Sequence, residues 1–133
     1  MHEHTFVMIK PDGVARGLIG EVISRLERTG LRLERMRMLT ISEELARRHY
    51  AEHLDRAFFP ELLEFITSGP VVAMDWSGPE AIALAREVMG ATDPQKAGPG
   101  TIRGDLGQAV TQNIVHGSDG PESARRELEL FFD

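Results

Sequence analysis

Alternating and continuous apolar runs along the chain predict four short strands separated by helices. The first run is closed by the turn formers Pro11-Asp12-Gly13, and the second alternates apolar and charged residues with one irregularity. The predicted strands are residues 5–10, 31–40, 71–76 and 113–116.

Helical spacing of apolar residues fills the intervals between these strands. Gly30 closes the first predicted helix, Ser42 is a plausible N-cap, and Pro79 and Gly90 mark the two ends of another helix. The predicted helices are residues 18–28, 42–52, 60–67, 79–89 and 121–131. Residues 91–112 carry Gly and Pro without periodicity, which is typical of a functional or disordered loop.

The order of these elements favours a single α+β domain over residues 1–133. Four strands joined by helices suit a ferredoxin-like βαββαβ arrangement, an antiparallel sheet with helices packed on it, better than a doubly wound sheet.

Composition narrows the class of protein. Hydrophobic residues make up 41% and charged residues 27% of the 133 residues, as in globular proteins that fold in water. The absence of cysteine excludes disulfides and thiolate chemistry. A net charge of −6 disfavours general binding to nucleic acid. With neither a signal-like start nor an apolar run long enough for a bilayer, we expect a cytoplasmic protein without a membrane partner. His2 and His4 are expected to lie in a frayed terminus.

One local pattern suggests zinc chemistry. His49-Tyr-Ala-Glu52-His53 matches H-x-x-E-H, in which two histidines on one helix face bind a metal beside a glutamate base. Because the pattern fixes only three positions, we favour a solvated helix face that carries two histidines and a charge. A small zinc hydrolase built on His49 and His53 stays as an alternative.

Phosphate binding, if present, must rely on side chains. Neither G-x-x-x-x-G-K-[ST] nor a G-x-G-x-x-G after the first strand occurs. Lys10 ends the first strand, Arg86 lies on a helix, and Arg103 sits in a glycine-rich segment where its planar fork would suit phosphate oxygens. Taken singly, each is interpreted as an ordinary surface charge.

His116 has a more suggestive setting. A short apolar run carries it to the edge of the sheet, before the turn formers of residues 117–121. Glu127 lies about two turns into the next helix and could accept a hydrogen bond from one ring nitrogen, which leaves the other nitrogen as a nucleophile. On the local sequence alone, a structural loop is favoured over a catalytic one.

The motifs together resemble the nucleoside diphosphate kinase family over essentially the whole chain. The similar blocks occur in the family's order: TFVMIKPDGV at 5–14, RGLIGE at 16–21, TSGP at 67–70, GAT at 90–92, PGTIR at 99–103 and NIVHGSD at 113–119. The resemblance implies a ferredoxin-like fold. It also implies ping-pong transfer of a γ-phosphoryl group from a nucleoside triphosphate, typically ATP, to a nucleoside diphosphate, which maintains nucleoside triphosphate pools.

The resemblance also assigns residues. It implies that His116 is phosphorylated, that Glu127 orients it, and that Lys10 and Ser118 complete the catalytic set. Phe58 and Val110 match the pair that sandwiches the base. The implied nucleotide-binding residues are Lys10, Tyr50, Phe58, Arg86, Thr92, Arg103, Val110 and Asn113. Mg²⁺ is the implied cofactor, bridging the nucleotide phosphates, with Asp119 as an indirect contact through water.

The implied partners are ATP, GTP, their deoxy forms and the corresponding diphosphates, together with further copies of the chain in a tetramer or hexamer. Because stacking on Phe58 reads no base edge, broad nucleotide specificity is expected. A ferredoxin-like binding module that has lost catalysis is the other alternative, although every matched catalytic position is retained.

Some positions depart from the family pattern. Ala57 stands where proline is common before two phenylalanines, Asp93 where asparagine is common, and Leu106 where an aromatic residue is common. Thr111-Gln112 replaces a frequent Gly-Arg pair. These departures concern loop rigidity and subunit packing, since none removes a residue that has an assigned role.

Overall fold

A four-stranded antiparallel sheet organises the computed structural model, which describes residues 2–110 and 112–133. Thr111, which belongs to the Thr111-Gln112 pair that departs from the family pattern, therefore lies outside the described residues. The strand order is β2-β3-β1-β4, and the strands are β1 (His2–Ile9), β2 (Arg32–Leu39), β3 (Val71–Pro79) and β4 (Val115–Gly117). Since every neighbouring pair is antiparallel, the predicted ferredoxin-like βαββαβ fold is confirmed.

Helices fill the connections between these strands. Within the described residues they are α1 (Pro11–Ala15), α2 (Ile19–Glu27), α3 (Glu43–His49), α4 (Phe59–Ile66), α5 (Ala81–Met89), α6 (Ile102–Leu106) and α7 (Pro121–Phe132), with a 3-10 turn at Ala51–His53. The Ser42 side chain caps α3 by accepting from the Leu45 N–H, as predicted.

The sequence patterns missed three local features. Pro11 starts the short helix α1 instead of only closing a turn, because proline is well suited to a first helical position. Thr101 caps α6 inside the segment that was predicted to be an irregular loop. Pro79 ends β3 rather than starting a helix, because Glu80 turns the chain through a left-handed conformation with φ of 56°.

The sheet separates two apolar layers. Alternate residues of β1 face opposite sides, so that Val7 and Ile9 pack toward α2 and α5. Phe6 and Met8 pack with residues of α3, α4 and α7 on the other side. All four side chains are fully buried, and each contributes roughly 1.5–3 kcal/mol through removal of apolar surface from water.

Residues 2–4 are paired in the sheet rather than frayed. His2 pairs with Pro79 and His4 with Ser77, because β3 is longer than the apolar run had indicated. The His4 Nδ1 atom lies 2.8 Å from Asp75 Oδ1, and Arg35 Nε donates to the other oxygen of that buried carboxylate at 3.0 Å. The prediction of a frayed terminus at His2 and His4 is therefore wrong.

The irregularity predicted in the second strand is confirmed as a register shift between Leu33 and Arg35.

Among the residues that the structure describes, no helix has the length and apolar character needed to cross a membrane.

Candidate active site

A strained backbone segment delivers the candidate nucleophile. His116 lies in the middle of β4, opposite Met8 of β1. Just before β4, Ile114 adopts a φ of 77°, which is unusual for a β-branched residue. Two hydrogen bonds hold it there: the Lys10 N–H donates to the Ile114 carbonyl at 2.8 Å, and the Ile114 N–H donates to Asp12 Oδ2 at 3.1 Å. The segment before His116 is thus fixed by its surroundings at a conformational cost.

Glu127 of α7 orients the His116 ring. Its Oε2 atom lies 2.8 Å from His116 Nε2, and its Oε1 atom accepts a hydrogen bond from the Ser118 hydroxyl. Burial by itself would raise the pKa of Glu127, but the hydrogen bond and positive charge of His116 outweigh it, so that the pKa lies below its usual value. The group is therefore an ionised acceptor at neutral pH, and Nε2 must carry the proton. Neutral His116 then has its lone pair on Nδ1.

Four polar side chains converge beside this histidine. Lys10 Nζ donates to Asn113 Oδ1 at 2.9 Å, and Asn113 Nδ2 donates to the Thr92 carbonyl at 2.9 Å. Arg103 donates from Nη1 to the Gly90 carbonyl at 2.9 Å and from Nη2 to the Val115 carbonyl at 2.7 Å. Arg86 Nη1 lies 3.3 Å from the Gly117 carbonyl oxygen.

Two of these cations are buried, contrary to their interpretation as ordinary surface charges. Burial, assisted by the charge of Arg103, lowers the pKa of Lys10 to about 8. Burial, assisted by the charge of Arg86, lowers the pKa of Arg103 to about 10. Of the three, only Arg86 is exposed as a residue. Like charges held in a desolvated site attract an anion strongly, because little water screens them.

These groups line an open cavity of about 570 Å³, which lies in the usual range for a small-molecule site. Most of the residues assigned from the resemblance form its walls: Lys10, Tyr50, Arg86, Thr92, Arg103, Val110, Asn113, His116, Asp119 and Glu127. Ser118 is buried behind Glu127 rather than in the wall. Phe58 is 51% exposed outside the wall, where its ring packs against that of His53.

Asp119 supplies an exposed carboxylate beside the cavity. The Ser123 hydroxyl donates to its Oδ1 atom at 2.6 Å, and this hydrogen bond is the main reason that the pKa of Asp119 is lowered. An ionised carboxylate beside a cavity lined by cations is chemically suited to a largely hydrated Mg²⁺ that is also bound by a phosphate.

His49 lies inside the site, so its interpretation as part of a solvated helix face is wrong. It is 4% exposed, and its ring centroid lies 4.8 Å from that of His116. Burial, with the charge of His116, lowers the pKa of His49 to about 3, so the ring is neutral. The helix ends at His49, and His53 lies in the following 3-10 turn, outside any group of three potential ligand side chains among the described residues. The geometry required for the H-x-x-E-H zinc hydrolase is not formed.

Several wall residues were not assigned to this site from the sequence. They are His49, Glu52 and His53, which had been considered only for a zinc pattern, and Glu122, Ser123 and Arg126. A signal existed for His49, because Ala46, His49 and Tyr50 follow the i, i+3, i+4 spacing of a buried helix face. The others are exposed or half-buried polar residues, for which the local pattern carries no information about a cavity.

Comparisons with known proteins show which family the chain resembles in sequence and in fold. The family model described as nucleoside diphosphate kinase matches residues 3–133. A protein of that name from Symbiobacterium thermophilum is 62% identical over 98% of this chain and 87% of its own length. A halophilic nucleoside diphosphate kinase from Halobacterium salinarum, solved in complex with CDP, superposes with a TM-score of 0.97 at 54% identity, over 100% of this chain and 89% of its own. A family member from Babesia bovis superposes with a TM-score of 0.94 at 47% identity, over 98% and 88% of the two chains.

Proposed function

The chain belongs to the nucleoside diphosphate kinase family, and from this premise we propose which of its residues carry out phosphoryl transfer and how. The enzyme moves a γ-phosphoryl group from a nucleoside triphosphate to a nucleoside diphosphate. His116 is the proposed nucleophile, and the observation that carries this assignment is its 2.8 Å contact with Glu127 through Nε2.

In the proposed first half-reaction, the Nδ1 lone pair of His116 attacks the γ-phosphorus. A bond forms between Nδ1 and phosphorus as the bond to the bridging oxygen breaks, and the nucleoside diphosphate leaves with that electron pair. The Nε2–H stays hydrogen-bonded to Glu127, and the negative charge of this carboxylate stabilises the positive charge that the attacking ring develops. A second diphosphate then attacks the phosphohistidine and reverses these steps.

Lys10, Arg86 and Arg103 are the proposed phosphate ligands. Their arrangement beside His116 supports this role, because phosphoryl transfer is accelerated chiefly by positioning and by neutralising charge. Asn113 holds Lys10 through its side-chain oxygen, and we assign it and Tyr50 to the ribose and phosphate end of the nucleotide. Thr92 lies on the same wall, and its carbonyl accepts from Asn113.

Mg²⁺ is the proposed cofactor, and the donors present fit it. Mg²⁺ keeps several waters and takes one or two carboxylates together with substrate phosphates. Asp119 is ionised and exposed at the cavity, so it would contact the hydrated ion through water. When bound, the ion neutralises phosphate charge beyond what the cations Lys10, Arg86 and Arg103 supply.

Phe58 and Val110 are the proposed contacts for the base. Both are large apolar side chains that are more than half exposed, 51% and 55% respectively. Val110 lines the cavity, and Phe58 packs against the ring of His53, which also lines it. Stacking on Phe58 without contacts to the base edge would accept any base, so ATP, GTP and their deoxy forms are all proposed substrates.

We further propose one catalytic domain over residues 1–133 that assembles as a tetramer or hexamer and acts in the cytoplasm. The edge strand β2 supports assembly, because Met36 and Met38 are 54% and 57% exposed on a strand that is paired on one side only. Elution volume combined with light scattering would measure the number of subunits.

The test of the proposed nucleophile is incubation with γ-labelled ATP and Mg²⁺, followed by acid and base treatment. We expect a label that is acid-labile, base-stable and lost when any nucleoside diphosphate is added, and that is absent from His116→Ala. Labelling of His116→Ala would refute the assignment. Nucleotide binding without any label in the wild type would instead support the module that has lost catalysis.

A further inference from the structure

The proposed reaction leaves a buried histidine without a role. His49 is 4% exposed and packs edge-on against Phe6, Tyr50 and Phe131. Within the described part of the chain, neither of its ring nitrogens has a hydrogen-bond partner. Buried polar atoms without partners are uncommon in folded proteins, and an ion is one of the things that can satisfy them.

Glu127 and His116 lie close enough to His49 for all three side chains to bind one metal ion. His49 Nδ1 lies 3.7 Å from Glu127 Oε2, which in turn lies 2.8 Å from His116 Nε2. One potential ligand atom from each of His49, His116 and Glu127 lies within 4.8 Å of the others. A tetrahedral ion with bonds of about 2.1 Å sets its ligand atoms about 3.4 Å apart, so small side-chain movements would bring these three into range.

We propose that His49, His116 and Glu127 form a binding site for a borderline transition-metal dication of the Zn²⁺ class. Two imidazoles and one carboxylate are a ligand set that zinc uses, with a fourth position left for water. The side chain of His116 is 24% exposed toward the cavity, which provides the entry path. This site differs from the H-x-x-E-H pair, because it contains His49 without His53.

Occupation of this site would switch off the nucleophile, a consequence that rests on the proposed role of His116. The ion takes the place of the proton between His116 Nε2 and Glu127 Oε2. A neutral imidazole that ligates a metal through one nitrogen carries its proton on the other. The proton therefore moves through solvent from Nε2 to Nδ1 with no net release, and the lone pair that would attack phosphorus is lost.

Direct binding tests the site without reference to catalysis. Titration of the apoprotein with Zn²⁺ by calorimetry, and with Co²⁺ by its visible spectrum, is expected to give one site per subunit with a tetrahedral spectrum. His49→Phe keeps an apolar ring in its aromatic surroundings and should weaken binding at least about tenfold. If His49→Phe does not fold, the nearly isosteric Glu127→Gln provides the same comparison.

A surface pair offers the matched control. His2 and His4 lie two residues apart on β1 with ring centroids 5.8 Å apart, so this pair is the rival source of a zinc signal that the control must exclude. We expect His2→Ala to bind zinc as the wild type does. Loss of binding in His2→Ala, unchanged binding in His49→Phe, or no binding to the wild type would each overturn the proposal.

Inhibition is measured separately with excess Mg²⁺ and ATP, so that zinc does not deplete the nucleotide. Zinc should suppress histidine labelling of the wild type and of His2→Ala, but not of His49→Phe. Equal suppression in His49→Phe would refute the inhibitory role. Absence of label in zinc-free wild-type enzyme would refute the proposed nucleophile instead, while the binding experiment would still decide the metal site.

Discussion

Replacing Lys10 by methionine is expected to stabilise the fold while abolishing phosphate binding. Lys10 is 8% exposed as a residue, and its only side-chain hydrogen bond among the described residues goes from Nζ to Asn113 Oδ1. Burial lowers its pKa from the ordinary 10.5 to about 8, so keeping the charge in the folded state is unfavourable. That difference corresponds to about 3 kcal/mol at neutral pH, an upper limit because methionine also loses the hydrogen bond.

The sign of the pH dependence follows from the lowered pKa. Below about pH 8 both the folded and unfolded states are protonated at Lys10, and the folded state bears the full penalty. As the pH rises from about 8 to 10.5, the folded state releases its proton first, and the penalty disappears. The stability of the wild type should therefore approach that of Lys10→Met across this range.

The assay is urea unfolding of both proteins at fixed subunit concentration, since dissociation of an oligomer would make the midpoint depend on concentration. We expect Lys10→Met to be more stable by roughly 1–3 kcal/mol at pH 7, with the gap closing by pH 10.5. Lys96→Met, at an exposed position, is the control and should change little. A gap between wild type and Lys10→Met that does not vary with pH would refute the reasoning.

Three further substitutions probe the rest of the site. Glu127→Gln should slow histidine labelling roughly 10- to 100-fold in rapid-quench measurements, because a charge-assisted hydrogen bond to His116 is lost and the amide can donate to Nε2 and reverse the tautomer. Equal labelling rates for Glu127→Gln and for the exposed control Glu129→Gln would contradict this role of Glu127. Phe58→Ala should raise KM for all nucleotides by roughly tenfold with little change in kcat, and an effect confined to one base would argue against simple stacking. Gly13→Ala places a Cβ 2.8 Å from the Ile9 side chain and 3.0 Å from that of Ile114, so the free energy of unfolding should fall by about 1–3 kcal/mol in urea unfolding. Histidine labelling should also be slower, because Ile114 is displaced.

The sequence predicted the strands and helices better than it predicted the burial of individual residues. Alternating and continuous apolar runs located all four strands, because these patterns report directly which faces of a strand are buried. Element ends were less well predicted, as Pro79 and His2 show, because pairing between β1 and β3 extends both strands beyond their apolar runs. Pairing of distant segments leaves no local signal.

The sequence predicted which residues gather at the candidate site, but not how deeply they are buried. The resemblance brought together His116, Glu127 and the cations, and the structure places them around one cavity. It did not reveal that Lys10 and Arg103 are buried, since both are charged residues flanked by turn formers. His49 was missed because the H-x-x-E-H pattern was interpreted as one helix face that carries His49 and His53, whereas the helix ends at His49.

Burial of these cations explains how a protein with a net charge of −6 can bind a polyphosphate. Exposed lysines and arginines would be offset by the acidic surface and screened by salt. Lys10 and Arg103 instead point their charges at neutral oxygens, those of Asn113, Gly90 and Val115, which orient the cations without neutralising them. In the proposed role of Lys10 and Arg103, the unfavourable energy of holding these charges out of water in the free enzyme would be relieved when phosphate oxygens bind. On this proposal, affinity for nucleotides and instability of the empty site have the same physical origin, the burial of Lys10 and Arg103.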